Sequence, residues 1–259
     1  MSTTNLREQR IGEENTNYQG CIMRVIDYIN AANITIEFQD KYRAKVKCTY
    51  LNYTKGQVKN PFFPSVLGIG YIGDTPDRKN LRRSKKYISW ADMLDRCYGK
   101  SKNIKNNSYK NRVTVCQEWL CYSDFAKWIE SQENYLVLGD EQWALDKDIL
   151  FKNNITYAPD KCCLVPKYIN ALFIKEKGTR GKYPIGVSIT REGAFQVHCS
   201  DGKEQLYLGY YNSPEKAFEV YKAYKEAVIK EKAQEAYSKG EITKKCYDAM
   251  MKYQVEITD

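Results

Sequence analysis

The sequence predicts an α+β protein of three small modules, and three observations carry that prediction. From Ile34 to Phe38, and again from Val187 to Leu208, apolar and polar residues alternate with the period of two that marks half-buried strands. Between these regions apolar residues recur at spacings of three and four, as in Trp90, Met93, Leu94 and Cys97, which is the helical period. Stretches rich in lysine, arginine, glycine or proline separate the patterned segments and read as connections.

The modules follow in chain order. Residues 1–18 are polar and without period, as expected of a flexible tail. In residues 19–74, Ile22, Val25 and Ile26 lead into the alternating Ile34, Ile36 and Phe38, and Tyr42–Tyr50 alternates more weakly. Gly56, Asn60-Pro61, Pro64, Gly68, Gly70 and Gly73 then mark tight turns, so a β-rich, barrel-like module is expected. Residues 75–86 form a basic linker carrying Arg78, Lys79, Arg82, Arg83, Lys85 and Lys86. Residues 87–174 mix helix and strand. Ser89 is placed to cap a helix through Cys97, and a Lys- and Asn-rich loop follows. A second helical pattern then spans Glu118–Ile129, and a strand-like stretch lies around Asp146. After a second basic linker at 175–183, residues 184–259 read as three short strands and a helix. Ser213 caps that helix, Pro214 is its first residue, and a last helix follows from Thr243.

Charge and cysteine usage narrow the partners. Forty-one Lys and Arg against 32 Asp and Glu give a formal net charge of +9, which favours a polyanion, and nucleic acid before others. Many of the 22 tyrosines are suited to contact phosphates or bases, although most are expected to be packed. No run approaches the roughly 18 apolar residues of a membrane span. The N-terminal residues lack the apolar stretch of a signal peptide, so a cytoplasmic protein with no membrane partner is expected. The nine cysteines are odd in number, irregular in spacing and without a CxxC pair. Cys97, Cys116, Cys121 and Cys162 are the set that zinc would need, but small buried hydrophobes are the expected role rather than Zn²⁺ ligands.

Strand parity sorts the C-terminal module into two faces. Val187, Ile189, Phe195, Val197, Cys199, Leu206 and Leu208 face the helix, with its stripe of Ala217, Tyr221, Tyr224 and Val228. Ser188, Thr190, Gln196, His198, Ser200, Gln205 and Tyr207 face away and are free to meet a base-pair edge. Gly186-Val187, the strand Gly193–Cys199, Leu206-Tyr207-Leu208-Gly209-Tyr210-Tyr211 and Ser213-Pro214-Glu215-Lys216-Ala217 together resemble the AP2 DNA-binding domain over residues 184–236. The resemblance implies a three-stranded sheet whose free face reads a major groove of double-stranded DNA through Ser188, Thr190, His198, Ser200, Gln205 and Tyr207. Plant members of that family place mostly arginine and tryptophan at such positions, and this chain does not. Arg191, at the hairpin tip, is then the leading phosphate or base contact. His198 is the chain's one histidine and is read as a DNA contact.

The middle module carries Trp90, Met93, Arg96-Cys97-Tyr98, Val115, Trp119, Phe125, Leu145-Asp146-Lys147-Asp148, Asn153, Tyr157, Pro159, Cys162 and Asn170. Their order resembles an HNH-like group of phage and mobile-element proteins, in which AP2-type domains are frequent neighbours. The N-terminal Asn60-Pro61 and Gly68–Gly73 look like the β-rich segment that precedes such modules. The resemblance implies a homing-type DNA endonuclease acting in a phage-infected bacterial cell. Its catalytic candidates are Asp146, Asp148, Asn153 and Asn170, with Mg²⁺ held by Asp146 and Asp148. Two residues apart on a strand, the two carboxylates share a face and Lys147 points the other way. The usual histidine is missing from the module. The plainer reading has Asp146 capping a turn and Asp148 pairing with Arg96. The candidate DNA contacts outside the sheet are Arg82, Arg83, Lys85, Lys86 and Arg96. Two alternatives stand beside the endonuclease: a DNA-binding regulator without catalysis, and a phage counter-defence protein with a protein partner.

Overall fold

A computed structural model of the chain describes residues 3–76, 80–99, 112–140, 142–174, 182–202 and 204–259. Arg78 and Lys79 of the first basic linker, the Lys- and Asn-rich loop at 101–111, and residues 175–181 of the second linker lie outside the described residues. The protein is mixed α and β, with small, mostly antiparallel sheets and eight α-helices among the described residues. The chain divides into two compact units: Met1–Lys79 with Leu120–Asp124, and Asn80–Trp119 with Phe125–Asp259. Among the described residues no helix is long and apolar enough to cross a membrane.

The first unit is a meander of β1 (Glu14–Thr16), β2 (Ile22–Asn30), β3 (Asn33–Phe38) and β4 (Lys45–Cys48), with neighbours antiparallel and in sequence order. Helix α1 (Thr3–Arg10) and β1 occupy the stretch expected as a tail. In β3 alternation holds, and Ile34, Ile36 and Phe38 are buried. In β2 the pairing slips between Val25 and Asp27, so the buried set runs Met23, Val25, then Tyr28, while Ile22 and Ile29 face solvent. Tyr53 of α2 (Tyr50–Thr54) and Val58 complete this core. The sheet is open rather than barrel-like. After β4 the chain turns into α2, with Thr49 accepting the Asn52 amide, and the glycine-rich stretch beyond it contributes only isolated bridges such as Val66 with Gly70.

The second unit begins with a 3-10 turn, Leu81–Arg83, and α3 (Lys85–Tyr98). Its cap is Ser84, whose Oγ accepts the Tyr87 amide at 3.2 Å, not Ser89; the helix therefore starts a turn earlier than expected. Trp90, Met93, Leu94 and Cys97 are buried as their spacing predicts, and the Trp90 indole donates to the Trp119 carbonyl at 2.7 Å. Two short ladders follow. Strand β5 (Thr114–Val115) runs parallel to β7 (Thr156–Tyr157), and β6 (Trp143–Asp146) runs antiparallel to β8 (Cys163–Pro166). Helices α4 (Tyr122–Ser131), α5 (Tyr135–Leu138) and α6 (Lys167–Ala171) connect them.

The C-terminal part of this unit has β9 (Val187–Ile189), β10 (Phe195–Ser200) and β11 (Gln205–Tyr211) in the order β11-β10-β9, then α7 (Pro214–Ser238) and α8 (Lys244–Met251). Ser213 Oγ accepts the Lys216 amide at 3.3 Å and Pro214 opens the helix, as the sequence predicts. Helix α7 serves two cores. Ala217, Phe218 and Tyr221 pack with Val187, Val197 and Cys199 under the sheet. Val228, Ile229, Ala233 and Ala236 pack with Cys163 and Val165 of β8, Ile169 of α6, and Cys246 and Met250 of α8. Asn134 adds a polar tie, its Nδ2 donating to the carbonyls of Leu164 (3.0 Å) and Glu241 (2.8 Å).

Candidate nucleic-acid interface

The sheet β9–β11 has one face committed to α7 and one face open. Val187, Val197 and Cys199 are buried on the helix side. Buried Lys225 of α7 donates its Nζ to the Ser200 carbonyl at 2.7 Å and pins the end of β10; burial lowers its pKa. The open face is built from cross-strand neighbours. Gln196 is paired with Ser188 on one side and Tyr210 on the other, and beyond them come His198 with Tyr207, then Ser200 with Gln205.

Between these rows the register of β11 slips, and Leu208 and Gly209 together oppose Val197. Gly209 has φ +111°, a conformation glycine adopts without strain, and the Tyr211 hydroxyl closes the irregularity by donating to the Leu208 carbonyl at 2.9 Å. The extra residue resets the alternation, so Tyr207 and Tyr210, three apart, both emerge on the open face. Tyr207 is 49% exposed and Tyr210 is 61% exposed. Their rings lie 5.3 Å apart, and the His198 ring lies 5.4 Å from Tyr207. Desolvation and then the neighbouring Tyr210 phenol push the Tyr207 pKa up. Tyr210 is the residue that strict alternation misses; the glycine inside a strand pattern is the sequence signal that marks such a bulge.

Other expected contacts take different places. Thr190 lies past the end of β9, where its Oγ1 accepts the Ala194 amide at 3.3 Å, so it organises the hairpin rather than the open face. Arg191 is exposed at that hairpin beside Glu192. Arg82 and Arg83 are exposed on the 3-10 turn, and Arg96 is exposed on α3. Lys85 places its Nζ 5.3 Å from the centre of the Trp143 ring. Lys86 is engaged by the Glu130 carboxylate and the Tyr135 hydroxyl, which removes it from the free cations.

The acidic cluster of the middle module is arranged as a turn. Strand β6 ends at Asp146, whose Oδ1 accepts the amides of Asp148 (2.8 Å) and Ile149 (2.7 Å). Because the strand stops there, the expected parity fails. Lys147 turns back, is buried, and donates its Nζ to both oxygens of Asp148 at 2.8 and 2.9 Å and to the Asn154 carbonyl at 2.7 Å. Burial raises the pKa of Asp146. Asn153 is exposed with φ 61° at the following turn. It is Asn154 that binds the loop, donating to the Lys147 and Thr156 carbonyls and accepting the Thr156 amide. Asn170, on α6, makes no side-chain hydrogen bond among the described residues, so nothing joins it to Asp146 or Asp148.

In this structure Asp146 and Asp148 are engaged by neighbouring protein groups. One Asp146 oxygen is held by two amides, both Asp148 oxygens face an ammonium group, and among the described residues no three His, Cys, Asp or Glu side chains gather as a ligand set. Cys97, Cys121 and Cys162 are each buried, and burial raises the thiol pKa of all three, as suits small core residues. Comparison with family models, with curated proteins and with solved structures gave no match to the chain.

Proposed function

We propose that the chain is a site-specific double-stranded DNA-binding protein that lays the open face of β9–β11 in a major groove. The observation that carries this reading is the face itself. It presents hydrogen-bonding and aromatic side chains, namely Ser188, Gln196, His198, Ser200, Gln205, Tyr207 and Tyr210, while α7 covers the opposite face. The rows of that face carry no Lys, Arg, Asp or Glu, so phosphate contact falls to Arg191 at its edge and to Arg82 and Arg83. The net charge of +9 and the AP2 resemblance of residues 184–236 support the same partner. Cleavage is a separate matter. The HNH resemblance implies it, but the Lys147–Asp148 pair and the turn held by Asp146 favour binding without catalysis, as in a regulator.

Fluorescence anisotropy of the full chain on random-sequence duplex DNA, across a salt series and with or without a chelator, tests the proposal. Affinity is expected to fall steeply with salt and to ignore the chelator. A flat salt response would remove DNA as the partner. Mg²⁺-dependent nicking that disappears in Asp146→Ala would restore the endonuclease.

A further inference from the structure

Ser188, Gln196 and Tyr210 form one row across three strands, with Gln196 in the middle and each neighbour its register partner. The Gln196 amide is oriented by Ser188, whose Oγ accepts from Nε2 at 3.0 Å. A glutamine amide has two N–H donors and one carbonyl oxygen. Ser188 takes one hydrogen, which leaves Oε1 and the second Nε2 hydrogen free on an already positioned group. That acceptor–donor pair matches the major-groove edge of adenine, where N6 donates and N7 accepts. It mismatches guanine, whose N7 and O6 both accept, and this row holds no Arg or Lys to serve them.

On the other side of Gln196, Tyr210 stands exposed with its ring backed by Tyr207 at 5.3 Å. Neighbouring strands lie about 4.8 Å apart, so adjacent side chains of the row reach neighbouring groups along a base-pair edge. An aromatic ring beside the glutamine suits the thymine C5-methyl, the one apolar group in the major groove.

Resting on the DNA-binding reading above, we infer that this row reads one A·T base pair, Gln196 taking the adenine and Tyr210 the thymine methyl, with Ser188 as the positioning residue. The bulge at Leu208 and Gly209 thereby acquires a role, since it lets Tyr210 share the face with Tyr207.

The test starts by selecting a binding site for the full chain from a random duplex pool, then measures variants against modified duplexes. One A·T pair in the site is expected to be required. Replacing its adenine with 7-deazaadenine should weaken wild-type binding about 10-fold and leave Gln196→Ala binding unchanged. Replacing its thymine with uracil should cost the wild type about fourfold and Tyr210→Ala nothing. Ser188→Ala should relax the preference for adenine, and Ser188→Thr, which keeps the accepting hydroxyl beside Gln196, should retain it. A wild type that selects a site, with variants that keep its base preference at every position, would overturn the inference and leave DNA binding standing. A wild type that selects no site at all would overturn both. Melting curves of the variants are expected to match the wild type, which separates a lost base contact from a lost fold.

Discussion

The carboxylate of Asp146 sits where β6 ends, with two amides on one oxygen and a low-dielectric surrounding that raises its pKa above the ordinary 3.8. A carboxyl group with a raised folded-state pKa binds its proton more tightly in the native protein. Its contribution to stability is therefore complete below pH 3.8 and is lost as pH rises through the raised value. Asparagine keeps the accepting oxygen and drops the charge. The melting temperature of Asp146→Asn relative to wild type is thus expected to climb as pH increases from 4 to 8. Asp146→Ala leaves two amides unpaired and should cost about 1–3 kcal/mol across the range, measured by urea denaturation. Lys147 shows why this region was only partly legible. Leu145, Lys147 and Ile149 keep an alternating spacing that reads as strand, yet the side chain of Asp146 accepts the amides of Asp148 and Ile149 and ends the strand locally. The turn-capping role of Asp146 was visible in its residue type; the inward fold of Lys147 onto Asp148 was not, because it depends on where the strand stops.

Alternation located the buried side only at the centre of the three-stranded sheet, where Val187, Val197 and Cys199 lie inside as their parity requires, whereas Ile189 and Leu206, expected on the same side, are exposed. It failed after Leu206, where one extra residue resets the pattern without any break in strand-like composition. The element also depends on a close approach that sequence marks only as a glycine. Gly186, just before β9, has φ +76°, and a methyl group placed on it would meet the Tyr221 ring of α7 at 2.0 Å. Gly186→Ala is accordingly expected to push α7 from the sheet and to cost several kcal/mol, on the order of 2–4, by strain and overpacking together. Chemical denaturation should show the loss, and the proposed DNA binding should weaken with it. Wild-type stability in this variant would mean that the helix does not pack against the start of β9.

The four tryptophans, at 90, 119, 128 and 143, all belong to the second unit, so indole fluorescence follows that unit alone. Ile229, on α7, is buried in the core that includes Cys163, Val165 and Ile169. Ile229→Ala is expected to lower the tryptophan-detected stability by about 2–4 kcal/mol, because the helix following the sheet and the strands of the middle module share that core. An unchanged fluorescence transition would show the two parts folding separately. Composition and linker chemistry suggested a division near residue 184, and local pattern offers no sign of this packing, since the core gathers residues as far apart in the chain as Val165 and Ile229. Helix α7 has 25 residues, about 37 Å of rise, with its first turns under the sheet and its later turns in the other core. A cut made at the linker and rejoined to a foreign C-terminal segment would carry away half of a core that the remaining chain still needs. With the proposed DNA-binding role, lineages carrying this chain are therefore expected to change specificity by single substitutions on the solvent side of three short strands, while recombination at the linker is selected against.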